Sequence, residues 1–389
     1  MFVELHMIQN FAPSCLNRDD TNSPKDCEFG GFRRARISSQ CLKRSIRQHP
    51  VFAETVTTAI GIRTKRLIDR LTADLAEAGN DAEIARGIVR AVVEATFSKL
   101  DGDQTAVALY VGENEIARLR DTILENWEQL QAEAAQPAAE EGNKKAKKAK
   151  SGGEAVKSVA AGLRSFIKET AKAPDIALFG RMVAEAKDIN VDAACQVAHA
   201  LSTHKAAMEM DFFTAVDDLQ AEDESGAGMM GTVEFNSSCF YRYALIDTAQ
   251  LQKNLDGDDG LTRSTVEAFI RAAVAAIPTG KQNSMAAQNR PSFVFAVVRD
   301  GGCPASLANA FEEPVRVSER TYGLVNQSVT KLIQHRDCLT KAYGETDIAA
   351  QAFLSLVEPE AGFGGLSSVR VDGLEQVIAT VTGALPGGA

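Results

Sequence analysis

The stretch GFRRARISSQCLKRSIR, residues 31–47, joins a concentrated positive charge to the start of a predicted helix. It holds six basic residues and no acidic one, although the whole chain of 389 residues has a net charge of −10. The six are Arg33, Arg34, Arg36, Lys43, Arg44 and Arg47. Such a segment in an acidic protein either holds a polyanion or forms a solvated basic surface.

The second half of this stretch predicts a helix with one cationic face. Ser38 or Ser39 can cap its start, because a serine hydroxyl accepts hydrogen bonds from the free amides of a first turn. Leu42 and Ile46 lie on the arc that can pack inward. The opposite face carries polar side chains at i, i+3, i+4 and i+7, namely Gln40, Lys43, Arg44 and Arg47. A phosphate near Ser38 would also meet the positive end of the helix dipole.

The segments on either side predict an α+β domain that is interrupted by helices. Residues 2–11, FVELHMIQNF, alternate apolar and polar side chains, which is typical of a half-buried strand. Residues 55–130 have helical spacing, and strand-like runs follow at 231–246 and 291–300. The first strand and the basic helix therefore precede a helical insertion, and the remaining strands follow it.

Composition favours a cytoplasmic protein with a sizeable core. Apolar residues make up 45% of the chain, and the seven cysteines form no CxxC pair, which favours reduced thiols. No apolar run approaches the roughly eighteen residues that a membrane-spanning helix needs. The N-terminus has no signal-peptide pattern. We therefore expect no membrane partner.

Residues 131–156, QAEAAQPAAEEGNKKAKKAKSGGEAV, are too poor in bulky apolar side chains to form a packed core. We expect a mobile surface loop within the helical insertion. Its five lysines could contact a DNA backbone, or they could simply be solvated, as lysine runs in such loops commonly are: Lys144, Lys145, Lys147, Lys148 and Lys150.

Four blocks of sequence, in order, resemble the CasC family, the backbone subunits of the type I-E CRISPR surveillance complex called Cascade. The first block runs from LNRDD at 16–20, through SPKD and FGG, to RRARISSQCLKRSIR at 33–47. The others are DIALFGRM at 175–182, DFFTAVDDLQ at 211–220 and GTVEFNSSCFYRYA at 231–244. Several long motifs in family order are far more specific than one short pattern.

The resemblance implies an RRM-like (ferredoxin-like) palm with a helical fingers insertion and a protruding β-hairpin thumb. We place the palm at residues 1–58 and 181–389, the fingers at 59–180 and the thumb at 205–232. The implied function is a non-catalytic subunit that polymerises head to tail along CRISPR guide RNA and displays the guide for pairing with target DNA. Its expected partners are further copies of itself and other Cascade subunits, with no cofactor, no metal and no small-molecule substrate.

The resemblance also assigns RNA contacts. Phe212 and Phe213 match thumb positions, and adjacent strand residues point to opposite faces, so both rings cannot enter one core. An exposed ring can stack on a base or wedge between bases, although ordinary packing is the alternative. Met182 matches an RNA-contacting position, whereas an isolated methionine is typical of a core. The expected phosphate and ribose contacts, which need not read base identity, are Arg18, Lys25, Arg33, Arg34, Arg36, Ser38, Gln40, Lys43, Arg44 and Arg47.

A metal-dependent ribonuclease is the alternative function. Asp19 and Asp20 are paired carboxylates in a loop beside basic residues, and backbone subunits of the related type III complexes cut target RNA with a loop aspartate. Turn capping or pairing with arginine is the more ordinary role for such residues. His199 and His204 lie five residues apart, which suits neither one helical face nor one strand face, so we expect a structural role. The sequence contains no Walker A, HExxH or GxSxG pattern.

Overall fold

The structure of the chain, a computed structural model, describes residues 1–135, 153–215, 229–317 and 323–387. The strands are β1 (Phe2–Asn10), β2 (Asp26–Phe29), β3 (Phe32–Ile37), β4 (Gly61–Thr64), β5 (Leu100–Asp101), β6 (Gln104–Thr105), β7 (Leu109–Gly112), β8 (Cys195–Val197), β9 (Ala200–Ser202), β10 (Glu209–Ala215), β11 (Met229–Phe235), β12 (Cys239–Asp247), β13 (Phe293–Arg299) and β14 (Ile348–Ser355).

The α-helices are α1 (Ser39–Gln48), α2 (Pro50–Val56), α3 (Leu67–Glu77), α4 (Ala82–Thr96), α5 (Glu113–Glu125), α6 (Trp127–Ala134), α7 (Glu154–Glu169), α8 (Pro174–Phe179), α9 (Thr248–Asn254), α10 (Asp259–Ala275), α11 (Gln282–Met285), α12 (Leu324–Tyr343) and α13 (Leu374–Gly383). The chain divides into two compact units. The first comprises residues 1–55, 195–248 and 263–389, and the second comprises 56–194 and 249–262.

An antiparallel sheet of eight strands lies at the centre of the first unit. Its order is β14-β13-β1-β12-β9-β3-β2, and β8 also pairs with β12. The prediction of a mixed fold of strands and helices is confirmed, and the strands of the sheet are antiparallel. Strand β1 occupies the middle, where His6 pairs with Tyr243 of β12 on one side and with Phe295 of β13 on the other.

Strand β1 is buried on both faces, so the prediction of a half-buried strand is wrong. All residues from Val3 to Gln9 are buried, including the polar ones that the alternating pattern placed at a solvent-facing surface. Their side chains are hydrogen-bonded internally: Tyr243 donates to Glu4 at 3.0 Å, and His6 Nδ1 lies 2.9 Å from the Tyr241 hydroxyl. Burial, followed by the charge of Arg299, lowers the pKa of His6 to about 3, which keeps the ring neutral.

Helices cover both faces of this sheet. One face packs on α12, since Ile8, Tyr241 and Phe293 share a core cluster with Val329 and Leu332. The other face packs on α10, because Arg242, which pairs with Met7 on that face, donates to the Ala273 carbonyl at 2.8 Å. Strand β1 therefore needs no solvent-facing side.

The second unit is mainly helical. Its core gathers apolar side chains from α3, α4, α5 and α7, such as Leu71, Val89, Leu119 and Leu163. Asp81 caps α4, accepting hydrogen bonds from the amides of Glu83 and Ile84 at 3.0 Å each.

The division between the units differs in three places from the boundaries drawn on the sequence. Three stretches assigned to the palm fall in the second unit: residues 56–58, 181–194 and 249–262. Val183 and Ile189 pack into the core of that unit, and Arg181 pairs with Glu115 there. No helix in the described parts of the chain is long and apolar enough to cross a membrane.

Candidate nucleic-acid interface

Helix α1 starts where the sequence pattern predicts. Ser38 is its N-cap, and the Ser38 hydroxyl accepts a hydrogen bond from the Cys41 amide at 3.3 Å. Leu42 and Ile46 are buried, while Gln40 and Arg44 are exposed. Ser38 itself is almost completely buried, so its first role is to cap the helix. The buried arc fixes the helix on its unit, and on the polar face Lys43 and Arg47 are partly buried beside the exposed Gln40 and Arg44.

Arg34 is not available to a ligand, which corrects one predicted RNA contact. The side chain is fully buried. Its guanidinium donates to the carbonyls of Phe29, Ser202, Phe311 and Glu312, at distances between 2.7 and 3.3 Å. These bonds connect β3 with β9 and with the segment around Phe311. No local sequence pattern reveals this, because three of the four acceptors lie far away along the chain.

Of the other predicted cations outside α1, Arg18 and Arg33 are exposed, whereas Lys25 and Arg36 are partly buried. Arg33 pairs with Asp26, yet 62% of its side chain is exposed. Arg18 is exposed and donates to the side chain of Asn22 at 3.2 Å. Lys25 and Arg36 are adjacent, because the Arg36 amide donates to the Lys25 carbonyl at 2.9 Å. Strand pairing thus brings together residues that are separated in sequence.

His199, expected to be structural, lies beside these cations. It occupies the connection between β8 and β9 and is exposed. Arg36 reaches its Nδ1 atom at 3.0 Å. Desolvation, then the charges of Arg36 and Lys25, lower the pKa of His199 below its usual 6.5. No local sequence pattern indicates this contact, because it depends on the pairing of β3 with β9.

Strands β10 and β11 form an exposed two-stranded hairpin in which the two phenylalanines lie on opposite faces. Phe212 pairs with Thr232, and Phe213 pairs with Gly231. The Phe213 ring lies across Gly231, since a Cβ atom added there would be 2.6 Å from the ring. Phe212 is 62% exposed and Phe213 is 36% exposed.

The hairpin also exposes methionines that the sequence analysis did not single out. Met210 and Met230 share the face of Phe212, and Met229 shares the face of Phe213. Both faces therefore present soft apolar surface. Of the predicted thumb at 205–232, the segment 216–228 lies outside the described residues, and so does the lysine run at 144–150.

Met182 is exposed and sits between two buried neighbours in the second unit. It is 85% exposed, whereas Arg181 and Val183 are buried. The Arg181 guanidinium contacts the carboxylate of Glu115 at 2.7 Å, and the Val183 amide donates to the Asn190 side chain at 2.6 Å. A backbone fixed on both sides therefore projects one methionine outward, which is unlike a core residue.

Asp19 has a local structural role. One of its carboxylate oxygens accepts hydrogen bonds from the Thr21 amide, the Thr21 hydroxyl and the Ser23 amide, at 2.8 to 3.0 Å. These bonds, the Thr21 hydroxyl foremost, lower the pKa of the Asp19 carboxyl. Asp20 is exposed. Among the described residues, no three His, Cys, Asp or Glu side chains are grouped so as to hold a metal ion.

Comparison with known proteins identifies the family. Residues 3–379 match the family model described as CT1975-like protein. A solved chain described as "CRISPR RNA-guided surveillance complex, pre-nicking" is 31% identical, with a TM-score of 0.83 over 99% of this chain and 100% of that chain. Another, described as "CRISPR RNA-guided surveillance complex", is 27% identical, with a TM-score of 0.72 and the same coverage. No curated protein matches. The chain therefore belongs to the family of CT1975-like proteins.

Proposed function

We propose that this protein is the guide-RNA-binding backbone subunit of a type I-E CRISPR Cascade complex. The observation that carries the proposal is the anchored cationic face of α1, continued at the surface by Lys25, Arg33 and Arg36. Two solved chains that match almost the whole length of this one belong to CRISPR RNA-guided surveillance complexes. The order of the CasC-like sequence blocks supports the type I-E assignment.

The topology supports an RRM-like palm. Six elements follow one another, with others between them, in the β-α-β-β-α-β order of the ferredoxin-like motif: β1, α1, β9, β12, α10 and β13. Strand β1 lies between β12 and β13, antiparallel to both. In this proposal the second unit supplies the fingers, and the β10–β11 hairpin supplies the thumb.

The chemistry of these surfaces suits a guide of variable sequence. Guanidinium and ammonium groups contact phosphates whatever the bases are, and exposed apolar side chains such as Phe212 and Met182 contact base faces without reading their edges. Head-to-tail copies on one strand would add many modest contacts, so that avidity supplies the stability. Such a subunit needs no cofactor and would act in the cytoplasm with target DNA and other Cascade subunits.

We further propose that the subunit does not cut RNA. In support of this, one oxygen of the Asp19 carboxylate is occupied by three hydrogen bonds within the turn at residues 19–23. The test is an assay of bound target RNA with Mg²⁺ or Mn²⁺, in the wild type and in the Asp19→Ala, Asp20→Ala double variant. We expect no cleavage by either; metal-dependent cleavage that disappears in the variant would establish the nuclease alternative.

The proposed function is tested by reversing charge on α1. We expect the Lys43→Glu, Arg47→Glu double variant to fold, and to recover less than about a tenth of the guide RNA that the wild type recovers on purification. The matched control is Lys253→Glu, Lys341→Glu, which makes the same charge change at exposed positions of α9 and α12. Equal RNA recovery by the two double variants would refute an RNA-binding role for α1.

A further inference from the structure

His199 lies close to two basic side chains from other segments, Arg36 and Lys25. Arg36 belongs to β3, and Lys25 lies just before β2; their backbones are joined by the bond from the Arg36 amide to the Lys25 carbonyl. His199 reaches the pair from the β8–β9 connection. Both cations also line a shallow depression together with Asn17.

The contact with Arg36 fixes the tautomer of His199. A guanidinium can only donate, so the Nδ1 atom, 3.0 Å from Arg36, must accept. The neutral ring therefore carries its proton on Nε2. Because His199 is exposed, this second nitrogen is a donor that a ligand can reach.

We propose that His199 is a further phosphate-contacting residue, which completes with Lys25 and Arg36 a binding site for one phosphodiester group of the guide RNA. The inference rests on the proposed function, and it adds a residue that sequence reasoning had assigned to structure. An anion is the ligand that fits, since the three side chains supply two positive charges and a directed N–H group.

The site also links RNA binding to proton uptake. Without RNA, desolvation and the charges of Arg36 and Lys25 lower the pKa of His199. The other groups near Arg36 do not offset this, because Asp26 is paired with Arg33 and the Cys27 thiol, whose pKa is raised by burial, stays neutral. A bound phosphate would accept the hydrogen bond of the Arg36 guanidinium and neutralise part of the positive charge, which would release Nδ1 of His199 to take up a proton and raise the pKa of the ring. Affinity should then increase as pH falls through the pKa of the bound state, and level off below the pKa of the free state.

The experiment measures the affinity of the full chain for a fluorescein-labelled single-stranded RNA of mixed sequence, between pH 8 and pH 6. For the wild type we expect binding to tighten by about 3- to 10-fold per copy over this range, since one proton can give at most about tenfold per pH unit. His199→Gln keeps a neutral N–H donor but cannot take up a proton. It should bind like the wild type at pH 8 and should lose the pH dependence.

Two further variants complete the design. His199→Ala removes the donor as well, and we expect binding about 5-fold weaker than that of the wild type at pH 8. His49→Gln is the matched control, because His49 follows α1 and its Nδ1 atom accepts from the Val51 amide at 3.3 Å. This control should keep the full pH dependence.

Several outcomes would overturn the inference: a wild type without pH dependence, a His199→Gln variant that retains it, or a His199→Ala variant that binds RNA normally at pH 8. The proposed function would survive each of them, provided that Lys43→Glu, Arg47→Glu still abolished RNA binding. If the charge reversal on α1 also left binding unchanged, the proposed function itself would fail.

Discussion

Arg33 and Arg34 are neighbours on β3, yet they lie in opposite environments. The Arg33 side chain is 62% exposed, whereas Arg34 is fully buried and donates to four backbone carbonyls. A buried carbonyl that loses its donor keeps its desolvation cost. The same type of residue therefore serves a surface role at one position and a stabilising role at the next.

We expect Arg34→Met to lower the free energy of unfolding by about 3 kcal/mol, because methionine fills part of the space but donates to none of the four carbonyls. Arg33→Met should change stability by less than about 0.5 kcal/mol, since Arg33 forms an exposed ion pair. Urea denaturation followed by circular dichroism measures both. Equal losses in the two variants would contradict the different roles assigned to the two arginines.

Sequence patterns located the cap and the buried arc of α1 but could not separate Arg33 from Arg34. The helix has a local period, so its cap and its buried arc follow from neighbouring residues. The burial of Arg34 depends instead on acceptors near residues 202 and 311, and the contact of His199 depends on strand pairing. Both are long-range features that one sequence does not encode in a local pattern.

Strand β1, predicted to be half-buried but buried on both faces, shows the same limit of a local pattern. Its alternation of Glu4 and His6 with apolar residues is typical of a strand with one solvent-exposed face. In the structure these polar side chains hydrogen-bond to tyrosines of β12, so helices can cover both faces of the sheet. Alternation shows which residues share a face, but it does not show what covers that face.

In the β10–β11 hairpin, the Phe213 ring can pack across residue 231 only because that residue is a glycine. A methyl group at residue 231 would overlap the ring, whose nearest atom lies 2.6 Å from the added Cβ position. We expect Gly231→Ala to displace Phe213 and to weaken RNA binding about as much as Phe213→Ala does, by about 5- to 100-fold if one base contact is lost.

A double variant separates this effect from a general weakening of the hairpin. If Gly231 acts through Phe213, Gly231→Ala combined with Phe213→Ala should bind RNA no more weakly than Phe213→Ala alone. Gly231→Ala combined with Phe212→Ala should give additive losses, because Phe212 lies on the other face. Fluorescence titration with labelled RNA measures the three single and the two double variants, and additive losses for Gly231→Ala with Phe213→Ala would contradict this role.

The DIALFGRM block supplies one partner of a buried ion pair, Arg181, whose other partner is Glu115 of α5. Arg181 and Glu115 are both buried, so removing the carboxylate leaves an uncompensated charge in the interior. We expect Glu115→Ala to destabilise the protein by about 3 to 5 kcal/mol. Glu113→Ala, at the partly exposed start of the same helix, should cost less than about 1 kcal/mol. Thermal unfolding of the two variants is the measurement, and similar melting temperatures would contradict a stabilising role for the pair.

An acidic chain can bind a polyanion only where basic residues are concentrated locally. The net charge is −10, so the general field of the protein repels RNA, while α1 and the β2–β3 region attract it. At about 0.1 M salt the Debye length is about 10 Å, so the diffuse repulsion is already largely screened, and further salt acts mainly on the phosphate contacts, which release counterions. Binding by this protein should respond strongly to ionic strength.

We expect a plot of log affinity against log salt concentration to have a slope of about −3 per copy, corresponding to four or five phosphates contacted on a single strand. Arg44→Gln should make the slope shallower by about 0.7, because one phosphate contact is lost. Arg34→Met, assayed where it remains folded, should leave the slope unchanged, since that cation is buried against carbonyls. Fluorescence titrations at KCl concentrations between about 50 and about 300 mM give the slopes. A slope near zero would contradict phosphate binding, and a shallower slope for Arg34→Met would contradict its assignment to the interior.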